Sequence, residues 1–335
     1  MGKMLAFGEV MLRLSPPGRQ LLLQTPTLDI WTAGAEANVA AALALLGHDV
    51  ALATILPENA LGDAAERSVR ALGVDCRHVR RMAGRMGLYF VTPGAGLRPT
   101  DVIYDRAHSA FAEAPASAWE WNALLDGVDH LHLSGITPAL GPVPAQTALD
   151  AVEAATVRDI TISFDGNYRA RLWESWDSDP KAILTKLVSA AHILFGNHRD
   201  IALLLDRDFG SDGEARRRAS AEAAFEAFPK LDIIASTARH VVDSDHHRIS
   251  ARVDARDGHA QTEEITLSGI VDRIGGGDAF AAGVLDALRN GRSIDDAAAN
   301  GLALTSLKHS LPGDASLFGR ADLDGFIAGG VDVRR

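Results

Sequence analysis

Apolar runs alternate with helix-spaced stretches along most of this chain. Residues 3–12, KMLAFGEVML, form a first apolar run of strand character, and 35–47, AEANVAAALALLG, follow with helical spacing and Gly47 as a stop. DVALATIL (49–56) repeats the strand pattern, and ALGDAAERSVRALG (60–73) the helical one. Further strand-like runs are HLHLSGI (130–136), ITISFDGN (160–167), HILFGN (192–197) and LDIIAST (231–237). Helical patterns fill the intervals near 142–156, 180–190, 198–206 and 213–228. Strands separated by helices of this length predict right-handed βαβ units. The expected fold is α/β, with three αβα layers around a mainly parallel sheet.

Two stretches break the rhythm. Residues 12–33 and 85–113 read as short strands joined by Pro/Gly turns, with TPGAGLRP (92–99) as a hairpin loop between GLYFV and DVIYDR. The expected division is a core of 1–11, 34–84 and 114–335, with 12–33 and 85–113 forming a small β lid. Such a lid would stand over the carboxyl edge of the main sheet, where open α/β folds bind ligands. It could equally supply dimerisation strands, or do both.

Composition narrows the class. Of 335 residues, 47% are hydrophobic and 23% charged, as in ordinary globular proteins. A net charge of −11 argues against broad nucleic-acid or anionic-membrane binding. The lone cysteine, Cys76, excludes an internal disulfide framework and fits a reducing cytoplasm. No leader pattern and no apolar run of ~20 residues is evident, so a cytoplasmic location is expected.

The chemistry concentrates at 272–283, DRIGGGDAFAAG. Gly275, Gly276 and Gly277 allow successive N–H groups to turn toward an anion, and a helix starting near Asp278 adds a partial charge of about +0.5 at that end. Asp278 has two readings. As a helix N-cap it would be ordinary, but a cap needs no run of three glycines. As a general base it would take a hydroxyl proton while the N–H cradle holds the phosphoryl group in transfer. The glycines favour the base.

At this point the chain resembles the ribokinase-like carbohydrate kinases. VDRIGGGDAFAAG (271–283) is similar to their Gly-Ala-Gly-Asp signature, with Gly276 in place of the usual Ala. AGAEANVA (33–40) and LGD (61–63) extend the likeness. HLSGITPAL (132–140), SFDGNYRARLW (163–173), SLKHSLPGD (306–314), GLYFVTPGAG (87–96) and VIYDRAHSAF (102–111) resemble the family's branch acting on 2-keto-3-deoxygluconate. The resemblance implies ATP as phosphoryl donor, the sugar acid's 6-hydroxyl as acceptor, and a parallel αβα core with a β lid.

The lid residues fit that branch. Tyr104 and Arg106 stand two apart and share a strand face, and Tyr89 can oppose them from the partner strand. Arg169 follows a core strand at the ligand edge. Arg106 and Arg169 together would make a carboxylate clamp, whereas a neutral sugar would leave both charges unpaired in a closed site. Gly34 would let substrate oxygens approach the backbone, and Asn38 would serve hydroxyls. Many neutral-sugar members carry an Asp where this chain has Arg13, which also favours a sugar acid.

No P-loop and no dinucleotide fingerprint is present. The resemblance implies instead that Ser236 and Arg239 lie near the phosphates and Asn300 and Lys308 near adenine. The family's Asn-x-x-Glu becomes Asn197 to Asp200, with Asp200 holding Mg2+ through water. A monovalent cation near the anion hole is common in the family and stays open here. So do a fructokinase-like activity on neutral sugars and a non-catalytic sugar-binding regulator. The expected partners are ATP, a small sugar acid and a second copy of the chain joined through the lid. His130 and His132, Cys76 and the tryptophans at 119, 121, 173 and 176 read as structural.

Overall fold

The computed structural model describes residues 2–210 and 213–330. In chain order its strands begin with β1 (Lys3–Phe7), β2 (Met11–Ser15), β3 (Asp29–Ala33), β4 (Val50–Pro57), β5 (Val79–Met82), β6 (Gly87–Thr92) and β7 (Asp101–Asp105). There follow β8 (Val128–Ser134), β9 (Thr161–Asp165), β10 (Ile193–Phe195), β11 (Ile233–Val241), β12 (His246–Ala255), β13 (Gly258–Gln261) and β14 (Ile265–Ser268). The main sheet runs β13-β12-β11-β10-β9-β8-β1-β4-β5, with β14 also on β12. From β11 to β5 every pairing is parallel.

Why these runs are continuously apolar is visible in β1. Met4 and Ala6 face one side with Val50 and Leu52, under helices Ala35–Leu45, Gly276–Arg289 and Ile294–Lys308. Leu5 and Phe7 face the other, against helices Pro142–Val157 and Pro180–Ala190. A strand covered on both faces has no polar alternation to show. Trp119 and Trp121 stack edge-on against Phe7 at 4.9 and 5.0 Å, and His130 and His132 both meet the Ser163 hydroxyl at 2.8 Å. These are core residues, as the sequence suggested.

The structure departs from the sequence pattern in three places. The run 3–12 is two strands, because the chain leaves the sheet after Phe7 and enters the lid at Met11. A Cβ on the intervening Gly8 would lie 2.0 Å from the Glu36 carboxylate. The antiparallel β12, β13 and β14 were not legible. ISARVDA (249–255) and ITLS (265–268) do alternate apolar and polar residues, but in β12 the polar positions are buried as well, with Arg252 fully enclosed and bonded to Asp254. Finally, residues 110 and 111 return to the core beside Phe7 and Trp119, so the lid's second stretch ends before 113.

The lid is a four-stranded sheet ordered β3-β2-β6-β7. Arg13 pairs with Tyr89 across β2 and β6, and Tyr89 with Tyr104 across β6 and β7. Two of its connections are fastened to the core: Ser244 N–H donates to the Gly96 carbonyl in the β6–β7 turn at 2.8 Å, and Arg19 in the β2–β3 loop meets Asp245 at 2.6 Å. Among the described residues no helix is long and apolar enough to cross a membrane.

Candidate active site

A cavity of about 630 Å3 opens where the parallel strands end, between core and lid. Gly34, Asn38, Tyr89, Tyr104, Arg106, Arg169, Arg239, Gly275, Gly277 and Asp278 all line it. These residues come from opposite ends of the sequence, and the crossover order of the sheet brings them together. Tyr89 and Tyr104 stack with ring centres 5.8 Å apart, giving a flat apolar wall on the lid side. Gly34 has φ +155°, and a Cβ there would lie 2.4 Å from the Glu9 carbonyl, so the turn itself demands glycine.

Opposite the tyrosines, helix Gly276–Arg289 begins with Gly275 as its N-cap at φ +79°. A Cβ on Gly275 would meet the Asp314 carbonyl at 1.8 Å, whereas one on Gly277 would meet no protein atom within 4 Å and would project into open space. Gly276 N–H donates to the Arg273 carbonyl at 3.2 Å. The N–H groups of Gly277 and Asp278 have no acceptor among the described residues. The donors free for an anion are therefore those of Gly277 and Asp278, and Gly276 is buried behind them, against His309 and Thr305.

Asp278 does not cap its helix, since the cap is Gly275 and makes no side-chain bond. Its carboxylate accepts from Asn38 Nδ2 at 2.7 Å. Burial, then the charges of Asp165 and Asp314, push it up to about 7, against the pull of Asn38 and Arg169. Asp165, also on the cavity wall, is raised to about 7 by burial and by Asp200. Glu36 is raised to about 7 by burial, although Ser134 Oγ donates to it at 2.6 Å. A carboxylate with such proton affinity is a competent base near neutrality.

Cations balance the site unevenly. Arg169, Arg239 and Arg273 border the cavity and have no carboxylate within 4 Å among the described residues. Arg106 differs. Its Nε and Nη2 both bond Glu9, with Nε at 2.9 Å, which leaves Nη1 without a hydrogen-bond partner among the described residues. The premise that both clamp arginines would lie unpaired under a neutral sugar is corrected: it holds for Arg169, while Glu9 neutralises Arg106. Arg13 is likewise no cavity residue. It is buried between Asp272 at 2.6 Å and Asp314 at 2.9 Å. Asp314 also accepts from the Tyr89 hydroxyl.

Several expected nucleotide residues lie elsewhere. Asn300 donates to Asp286 at 3.1 Å and lines a separate cavity with Arg320, because mid-helix it faces away from the anion hole. Lys308 is fully buried, its ammonium directed at the carbonyls of Asp272 and Leu311, so it has no exposed face for adenine. Ser236 pairs with Arg252 within the sheet and does not reach the cavity. Asn197 and Asp200 form a capping box for helix His198–Leu205, with Asn197 N–H donating to Asp200 at 2.7 Å.

The donor set bears on Mg2+. Among the described residues no group of three His, Cys, Asp or Glu side chains could hold a metal. Asp165 and Asp200 are two half-buried carboxylates, the charge of Asp200 helps raise Asp165, and a cation would relieve that. With Mg2+ keeping waters and phosphate oxygens as its other ligands, the pair fits. Sequence reading left out Glu9, Glu36, Asp165, Arg273 and Asp314. Glu36 and Asp165 carried a signal, each being an acid inside an otherwise apolar stretch at a strand or helix end.

Comparison with known proteins agrees with this geometry. The family model for pfkB family carbohydrate kinase matches residues 1–317. The 2-dehydro-3-deoxygalactonokinase of Haloferax volcanii is 32% identical over 328 residues, covering 98% of this chain and 97% of that protein. The 2-dehydro-3-deoxygluconokinase of Bacillus subtilis is 26% identical over 310 residues, 92% of this chain and 90% of that one. The crystal structure of 2-dehydro-3-deoxygluconokinase from Thermotoga maritima has a TM-score of 0.92 at 34% identity, over 98% of this chain and 100% of that chain. A ribokinase-like fold, a cavity lined by both arginines and carboxylates with a free N–H cradle beside Asp278, and a family match over nearly the whole length lead to one statement: this chain belongs to the pfkB family and is an ATP-dependent carbohydrate kinase.

Proposed function

We propose that the protein transfers the γ-phosphate of ATP to the 6-hydroxyl of 2-keto-3-deoxygluconate or its galactonate-derived epimer. The observation carrying this reading is the side chain of Asp278, which lines the cavity on Asn38 instead of capping its own helix. The substrate hydroxyl sits against Asp278, which accepts its proton as the oxygen attacks phosphorus. Gly277 and Asp278 N–H groups hold the transferring phosphoryl oxygens, and Arg239 and Arg273 offset the polyphosphate charge. Gly275 sets the turn and Gly276 its packing. The sugar acid's carboxylate meets Arg169 and the free edge of Arg106, its body lies against Tyr89 and Tyr104, and Asn38 and the Gly34 backbone bind its hydroxyls.

Asp165 and Asp200 are the residues that would hold Mg2+, and the ion would neutralise phosphate charge there. The lid, fastened at Ser244 and Asp245, excludes water that would otherwise compete as nucleophile. The row Ile30, Leu14, Phe90 and Ile103 crosses all four lid strands on the face opposite Tyr89, and a homodimer through it covers that row. A cytoplasmic location suits ATP supply and the free, buried Cys76.

A steady-state assay with both 2-keto-3-deoxy acids, gluconate, fructose and ribose tests the reading. Preference for a keto acid supports it, and equal or better turnover of fructose overturns it. A neutral-sugar kinase is the second reading, favoured by the Glu9–Arg106 pairing, which leaves less uncompensated charge on the lid.

A further inference from the structure

Lys308 ends helix Ile294–Lys308 with no solvent exposure. Its Nζ donates to the Leu311 carbonyl at 3.2 Å and the Asp272 carbonyl at 3.4 Å, and no carboxylate lies within 4 Å. Burying an ammonium on neutral carbonyls is costly unless its charge is needed. The two carbonyls belong to the two segments that shape the anion hole. Asp272 opens the turn leading to Gly275, and its carboxylate accepts the N–H of Ile274 at 3.0 Å and of Gly313 at 3.2 Å. The second segment ends at Asp314, whose carbonyl packs on Gly275 so closely that no Cβ fits.

Arg13 alone is ion-paired with Asp272 and Asp314, so two carboxylates share one guanidinium; burial disfavours the Lys308 ammonium, and Asp272, Asp314 and Asp278 favour it. Arg13 bridges both carboxylates from the lid strand β2, and Tyr89 reaches Asp314 from β6. Without Lys308 this buried knot would carry a net negative charge directly behind the N–H groups meant to receive a phosphate. It would also leave two carbonyls converging on nothing.

We propose that Lys308 is a positioning residue, a tethered cation that holds the 272–275 and 311–314 segments together and keeps the anion hole electrically neutral behind its donors. It never touches substrate. The proposal rests on the anion-hole reading above, and makes an added monovalent cation unnecessary for this protein.

The test uses the full-length protein, Lys308→Met and Lys308→Ala, in buffers whose only monovalent cation is tetramethylammonium, potassium or ammonium at equal ionic strength. One readout is calorimetric binding of a non-hydrolysable ATP analogue with Mg2+; the other is turnover followed by direct ADP measurement. Wild-type binding and turnover should agree within about twofold in all three salts. Both variants should bind the analogue at least ~10-fold more weakly in tetramethylammonium, from the uncancelled charge. Lys308→Ala, with its side-chain space vacated, should recover at least ~5-fold with ammonium or potassium, cations of ammonium's size, while Lys308→Met, which fills the space, should not.

Unchanged analogue binding in both variants overturns the proposal. So does a loss that no cation restores in Lys308→Ala, or a wild-type requirement for potassium. Since analogue binding needs no sugar, a wrong acceptor would leave this result standing, and a failed cation rescue would leave the substrate assignment standing.

Discussion

Replacing Asp278 by Asn separates chemistry from architecture at the least cost to the fold. The amide oxygen can still accept from Asn38 Nδ2, now 2.7 Å from the carboxylate, so the local geometry persists. What disappears is a charge that burial and Asp165 disfavour. A carboxyl raised from 3.8 to about 7 stabilises the fold below pH ~4 and loses that contribution as pH rises through 7. At 1.36 kcal/mol per unit the loss reaches roughly 4 kcal/mol above pH 7, an upper limit because Asn38 then keeps a charged acceptor. The neutral Asn escapes it, so the variant's Tm at pH 8 should equal or exceed wild type. Turnover should fall at least ~10²-fold, about 2.7 kcal/mol in the barrier, with the KM for ATP changed little. Initial rates by ADP release and a melting curve on the same preparation give both numbers. Turnover within tenfold of wild type, or a loss of activity matched by a lowered Tm, would refute Asp278 as the base.

Other outcomes follow from the same geometry. In wild type kcat should rise with pH through about 7 and level off, since the base works deprotonated; a flat profile from pH 6 to 8 would contradict the raised Asp278. Arg169→Ala removes an exposed, carboxylate-free guanidinium, so KM for the sugar acid should rise ~10- to 100-fold with Tm unchanged, whereas an equal rise for ATP would argue against a carboxylate contact. Arg106→Ala should instead destabilise by about 3–5 kcal/mol in denaturant titration, because Glu9 stays buried without its cation. Gly277→Ala should fold normally, its Cβ touching no protein atom, yet lose nucleotide turnover, while Gly275→Ala should unfold at lower temperature through its clash with Asp314. Ile103→Glu should shift light-scattering mass toward the monomer; an unchanged mass would remove the lid dimer.

The amino-acid sequence alone determined the layered core. Strands β1, β4, β8, β9 and β10 are buried on both faces, and continuous apolar runs between helical periods announce that arrangement. The glycine run before Asp278 was a local feature of the same kind, but which N–H groups stay free, those of Gly277 and Asp278, was not, because Gly276 N–H turns back to the Arg273 carbonyl. Only tertiary structure decided the rest. That Glu9 would neutralise Arg106, that Arg13 would leave the substrate side for Asp272 and Asp314, and that Lys308 would turn inward are outcomes of pairing across nearly the whole chain. Asn300 shows the same limit, since a polar helix residue could face either side until Asp286 claimed it. The physical reason is that a charged side chain's role depends on which opposite charge burial leaves within reach, and periodicity carries no record of that partner.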